Sequence, residues 1–193
     1  VKTDKRLCRP AGITLLISFA FVKQQHMPVN IEIKARCPDP AASAETLAGL
    51  GAETAGNDRQ TDTYFHTNSG RLKLREGNIE NNLIYYERND EKGPGKSEVL
   101  LFPAVKDTQL KNMLEKALGI MKVVKKNRNI FYLGNVKFHI DHIEGLGDFI
   151  EIEAIGERGD EEKLGRQCRH YMEKLGIDPL NLLAGSYSDM VNP

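Results

Sequence analysis

Apolar and polar positions alternate with a period of two along most of the chain, and three segments break that rhythm with helical spacing. The alternating stretches predict strands at 29–36, 61–66, 71–76, 83–89, 97–102, 121–133, 135–143 and 148–155. Asn68-Ser69-Gly70 and Gly93-Pro94-Gly95 read as turns between neighbouring strands. Asp39-Pro40 supplies an N-cap and a first-turn proline for a helix running to about Leu50 and closed by Gly51. Asp107 is placed to cap TQLKNMLEKAL, where Leu110, Met113, Leu114, Ala117 and Leu118 form one stripe before Gly119. A third helix, about Asp160 to Leu175, sets Leu164, Cys168, Met172 and Leu175 at helical spacing before Gly176. All three stripes are expected to face the core. The long connecting helices of a parallel sheet are missing between most strands, so an α+β fold with a largely antiparallel sheet is expected.

The polar faces of these strands are unusual. In NIEIKAR, Asn30, Glu32, Lys34 and Arg36 share one face; in RLKLRE, Arg71, Lys73 and Arg75 oppose Leu72 and Leu74. Tyr86 and Arg88 share a face, as do Lys126 and Arg128; Asp141 stands between Ile140 and His142, and Glu151 and Glu153 flank Ile152. A single charged strand face is ordinarily a solvated one. Here same-sign pairs recur strand after strand, each backed by Leu, Ile or Val, although like charges on neighbouring strands destabilise a sheet. The sorting makes sense if the sheet closes with its charged faces around a polar lumen, leaving the apolar faces outside under the helices. The charged face of NIEIKAR then points inward. Cations gathered in a lumen repel one another unless a polyanion lies among them, and Lys and Arg suit the oxygens of a polyphosphate. Glu32, Glu151 and Glu153 would then hold divalent cations, because Mg²⁺ binds through a few carboxylates together with substrate phosphate oxygens.

Composition narrows the picture. The 193 residues suit one domain, and 27 basic against 27 acidic side chains give no global pull toward nucleic acid or an anionic membrane. Cys8, Cys37 and Cys168 are odd in number and far apart, so neither a disulfide framework nor a zinc site is signalled, and a cytoplasmic setting is the simplest. His139 and His142 around Asp141 read as ordinary strand or surface residues. Residues 1–26 form an N-terminal extension with a basic start and an apolar run from about Ile13 to Val22, too short to span a bilayer. It resembles a signal peptide without a small-residue cleavage site, and a reading frame over-extended upstream of Met27 explains it equally well. The domain itself is expected at 27–193.

At these residues the sequence resembles the CYTH superfamily, the triphosphate tunnel metalloenzymes, which includes class IV adenylate cyclases and thiamine and inorganic triphosphatases. The family's E-x-E-x-K is matched by Asn30-Ile31-Glu32-Ile33-Lys34, with one carboxylate replaced. QTDTYF (60–65), RLKLRE (71–76), the Tyr86–Arg88 stretch, Lys126-x-Arg128, HIDHIEGLGDFIEIE (139–153) and the closing GSYSDM (185–190) follow in the expected order. Each is weak alone and they are strong together. The resemblance implies an antiparallel eight-stranded barrel, the triphosphate tunnel, with flanking helices. It also implies that Lys34, Lys73, Arg75, Arg88, Lys126 and Arg128 bind a nucleoside triphosphate or polyphosphate. Glu32, Glu151, Glu153 and nearby Asp141 would carry one or two Mg²⁺ or Mn²⁺ ions, and Glu32, Lys34, Lys126, Arg128, Glu151 and Glu153 would form the catalytic set. Asn30 weakens one ligand, since an amide oxygen carries no charge. Dimers occur among related cyclases, so a homodimer is compatible.

Two reactions share this machinery. In cyclisation the ribose 3′-hydroxyl of ATP attacks the α-phosphorus and pyrophosphate leaves; in hydrolysis water attacks a terminal phosphorus. Similarity to bacterial cyclase-type proteins places adenylate cyclase first, triphosphatase second, and a noncatalytic nucleotide or polyphosphate binder third. GPGKS, Gly93 to Ser97, is not a P-loop: Asp90 stands where a glycine is required, and the context is a turn between strands.

Overall fold

The computed structural model describes residues 29–88, 92–106 and 108–191; the extension, Met27, Asp90 and the Asp107 cap lie outside the described residues. Strand β1 (Val29–Arg36) leads into helix α1 (Pro40–Gly49) and then β2 (Glu53–Phe65), β3 (Arg71–Glu76), β4 (Asn81–Arg88) and β5 (Gly95–Pro103). Helix α2 (Thr108–Leu118) precedes β6 (Ile120–Leu133), β7 (Val136–Ile143) and β8 (Gly147–Gly156), after which come α3 (Glu161–Lys174), a 3₁₀ turn at Pro179–Asn181 and the short α4 (Tyr187–Met190). The eight strands close into an antiparallel barrel in the order β1-β5-β4-β3-β2-β6-β7-β8. Closure leaves every strand with two neighbours and no free edge.

Register follows from the alternation. On β1, Ile31, Ile33 and Ala35 face outward, because they join Phe138, Ile150 and Ile152 in a cluster covered by Leu47 of α1 and by Leu164 and Cys168 of α3. Each such buried aliphatic side chain contributes roughly 1.5–3 kcal/mol, so this outer layer holds β1, β7 and β8 in one register. A slip of one residue would exchange the apolar and charged faces. Helix α1 starts as its sequence requires: the Asp39 side chain accepts a bond from the Ala42 amide at 2.9 Å, with Pro40 in the first turn. Gly51, Gly119 and Gly176 follow the three long helices at φ +83°, +72° and +63°, a left-handed conformation that side chains with a Cβ adopt at a cost.

Four expectations need correction. The strand expected at 61–66 runs from Glu53, since residues 53–60 (ETAGNDRQ) carry polar groups on both faces and so show no apolar alternation. The α2 stripe is not core: Met113 is 68% exposed, Leu118 is exposed, and only Leu110 and Leu114 are half-buried where the helix lies against β2. Arg36, at the end of β1, is exposed beyond the lumen and lies over the Phe149 ring of the same face, 5.4 Å from its centroid. The segment after α3 also gains structure: the Leu183 amide donates to the Lys34 carbonyl at 2.9 Å, which directs α4 into one end of the barrel.

Candidate active site in the barrel lumen

The inward faces of the strands line a chamber of about 140 Å³. From β1 come Asn30, Glu32 and Lys34; from β3 Lys73 and Arg75; from β4 Tyr86 and Arg88. Lys126 and Arg128 enter from β6, Lys137 and His139 from β7, and Glu151 and Glu153 from β8. The charged face of NIEIKAR thus does point inward, through Lys34.

The lumen is not a bare cluster of cations. Asp62 of β2, fully buried, accepts two bonds from Arg75 at 2.8 and 2.9 Å, with Lys73 at 3.0 Å and Lys126 at 3.1 Å. Arg128 grips Asp141 at 2.6 and 2.5 Å and donates to Glu151 at 2.7 Å, while Lys34 reaches the other Glu151 oxygen at 2.8 Å. Arg88 pairs with Glu32, and Glu80 bridges Arg75 and Lys137. Seven cations (Lys34, Lys73, Arg75, Arg88, Lys126, Arg128, Lys137) face six carboxylates (Glu32, Asp62, Glu80, Asp141, Glu151, Glu153), leaving a formal charge of +1 with His139 neutral. The repulsion expected from the sequence is therefore largely offset within the protein, and any incoming anion competes with carboxylates for its donors.

These contacts set the ionisation. Although burial opposes charge on Asp62, the cations Arg75, Lys126 and Lys73 hold it well below the usual carboxylate range. Glu151 is held low in the same way by Lys34 and Arg128. Glu32 is raised by burial and by neighbouring Glu153, against the pull of Arg88. Burial, with Arg128 and Arg75 nearby, brings Lys126 down to about 7. Burial and the Arg128 charge lower His139, which keeps its imidazole neutral.

Helix α4 closes one end. The Tyr187 hydroxyl donates to Asp141 at 2.8 Å, and its ring lies 3.9 Å from the Lys34 Nζ. Ser186 meets the Tyr86 and Tyr64 hydroxyls at 3.0 and 3.2 Å. Beside this end lies an outer cavity of about 770 Å³ lined by His66, Arg71, Lys96, Met121 and Asp189 among others; Tyr64 and Arg88 border both spaces.

Asp141, grouped with the metal-binding carboxylates at the sequence level, has its oxygens taken by Arg128 and Tyr187. Among the described residues, His139, Glu151 and Glu153 converge closely enough for one cation, their ligand atoms all within 4.8 Å of one another. His142 is exposed and pairs with Asp148. The sequence reading passed over Asp62, Glu80, Lys137 and Tyr187 as lumen residues. Lys137 and His139 share the alternating face of Asp141, and Asp62 that of Tyr64, so a signal was present; Glu80 lies in a turn and gave none.

The fold and its lumen define a closed antiparallel tunnel protein whose interior is lined by paired cations and carboxylates. The sequence matches the CYTH domain family over residues 29–187, and the chain belongs to that family. A Methanocaldococcus jannaschii protein named provisionally as an adenylate cyclase is 24% identical over 174 residues, covering 84% of this chain and 98% of that protein. Among solved structures, a Pyrococcus horikoshii protein is 27% identical with a TM-score of 0.73, covering 84% of this chain and 99% of its own. A Hippeastrum protein, described as a provisional adenylyl cyclase with a dominant triphosphatase activity, shares the fold at 16% identity and a TM-score of 0.53, covering 78% and 89%. Among the described residues no helix is long and apolar enough to cross a membrane.

Proposed function

We propose that this protein is a metal-dependent enzyme acting on a triphosphate held in the lumen, and that its reaction is conversion of ATP to cyclic AMP and pyrophosphate. The observation that carries the reading is the gathering of seven cations and six carboxylates around the lumen of one closed barrel. The provisional cyclase name of the Methanocaldococcus relative agrees with it. The outer cavity favours a nucleotide over a bare polyphosphate: it adjoins the lumen at Tyr64 and Arg88 and is of a size that holds small organic ligands.

In this reading Lys34, Lys73, Arg75, Arg88, Lys126 and Arg128 bind phosphate oxygens, Asp62 and Asp141 hold those donors in place, and Glu32, Glu151 and Glu153 carry the cation. One or two Mg²⁺ or Mn²⁺ ions on these carboxylates would supply charge neutralisation for the phosphoryl group. The donor set fits such an ion, because His139, Glu151 and Glu153 converge. In the cyclase step the 3′-oxygen forms a bond to the α-phosphorus, the bond from that phosphorus to the β-bridging oxygen breaks, and the 3′-hydroxyl proton must be accepted. Lys126, brought down to about 7, holds or releases a proton near neutral pH.

The triphosphatase reading keeps the same residues and is favoured by the dominant activity described for the Hippeastrum neighbour. Phosphorus NMR of the protein with ATP and, separately, with tripolyphosphate distinguishes the two. Cyclic AMP with pyrophosphate is the expected product; orthophosphate establishes the triphosphatase, and unchanged spectra with Mg²⁺ and with Mn²⁺ contradict both. Glu153→Gln is expected to abolish metal-dependent turnover while the melting temperature stays near wild type, because the change removes charge without changing volume.

A further inference from the structure

His139 lies on β7, cross-strand from Glu151 of β8, and is 1% exposed. Its Nδ1 stands 3.1 Å from the Glu151 Oε2 and 3.5 Å from the Glu153 Oε1, and its Nε2 is buried with no hydrogen-bond partner. Here one nitrogen is aimed between two carboxylates and the other is idle. Cis ligands around one ion at typical metal–ligand lengths lie about 3 Å apart, which matches the two Nδ1 separations.

We infer that His139 is a protein ligand of the lumen cation, giving the site one nitrogen and two carboxylate donors and a preference for Mn²⁺ or another transition metal over Mg²⁺. The inference rests on the reading of Glu151 and Glu153 as cation carriers and specifies which cation. Imidazole binds first-row transition metals well, whereas Mg²⁺ is served by oxygen donors and gives up its water reluctantly. A neutral imidazole is the form that ligates. On binding, the Nδ1 lone pair faces the ion and the ring proton resides on Nε2. Glu151 remains held by Lys34 and Arg128, so the ion meets a carboxylate already fixed in orientation.

The test uses the full-length protein stripped of metal and loaded with one equivalent of MnCl₂, unlabelled or with ¹⁵N-histidine, and examined by pulsed electron paramagnetic resonance. Wild type is expected to show imidazole nitrogen modulation that changes on ¹⁵N-histidine labelling and disappears in His139→Gln. In titrations that variant should lose Mn²⁺ affinity by about tenfold or more, the scale lost even when a residue that only supports a ligand is removed, with Mg²⁺ affinity nearly unchanged. The wild-type spectrum needs no variant, so it decides the matter even if His139→Gln fails to fold. Bound Mn²⁺ without histidine modulation, with binding weakened by Glu153→Gln, would overturn the ligand assignment and leave the carboxylate site standing. Failure of wild type to bind either Mn²⁺ or Mg²⁺ would overturn both.

Discussion

Asp62 is the residue on which three of the lumen's cations depend. Its two oxygens meet Arg75, Lys73 and Lys126, all away from bulk water. Asp62→Asn keeps the shape and removes the charge, leaving buried cations without their counter-ion. Breaking a buried pair in this way costs about 3–5 kcal/mol, and urea denaturation of Asp62→Asn is expected to show a loss of that size; a loss well under 1 kcal/mol would mean the cations find other partners. Lys126 gives a pH-dependent signature. Its folded pKa lies at about 7 against an ordinary 10.5, so between those values the unfolded chain holds a proton that the folded protein lacks. This group's effect on stability is therefore unfavourable below about pH 7 and is relieved as pH rises toward 10.5. Comparing wild type with Lys126→Met across that window is expected to show the gap narrowing with rising pH; a gap that widens would contradict the depressed pKa. The cations in this network were legible because they recur on alternate positions of several strands. Their partners were less so: Asp62 sits inside QTDTYF, whose polar residues fall on both faces, and Glu80 lies in a turn where no periodicity applies.

At the scale of elements, alternation located all eight strands, most clearly on β1, β3, β7 and β8, where an apolar face backs a charged one. It failed at the first half of β2, where both faces are polar, and it could not tell that the α2 stripe stays largely exposed, since spacing shows that a helix is two-faced but not what covers it. Helix α4 was too short for any period to reveal, and its role comes from long-range contacts. Tyr187 joins it to the lumen twice, by its hydroxyl on Asp141 and by its ring, which packs tilted against Phe149 with centroids 5.2 Å apart. Tyr187→Phe is expected to cost about 1.5–3 kcal/mol, the contribution of a hydrogen bond to a charged group, with Asp141 still held by Arg128. Tyr187→Ala should cost about 3–5 kcal/mol, as for other buried aromatic truncations. Equal costs for the two variants, measured by chemical denaturation, would show that the ring does not pin α4 to the barrel.

For the molecule as a whole, the proposed function implies that the near-neutral lumen couples metal and phosphate. Lys34 and Arg128 share Glu151, and Arg88 is bound to Glu32, so on that reading a divalent cation on those carboxylates would release donors for phosphate oxygens. Binding of the two ligands must then be reciprocal, each raising affinity for the other by the same factor. The barrel supplies the rigidity this exchange requires, because every donor sits on a strand paired on both sides. The most direct test is a calorimetric titration of tripolyphosphate into the protein with and without Mn²⁺, repeated with Lys73→Ala. The account predicts binding that is about tenfold or more tighter with the metal, a coupling within the usual range for linked sites, and weakened by Lys73→Ala by more than that variant loses in stability. Equal affinity with and without metal, or a Lys73→Ala variant that binds like wild type, would contradict a triphosphate site in the lumen.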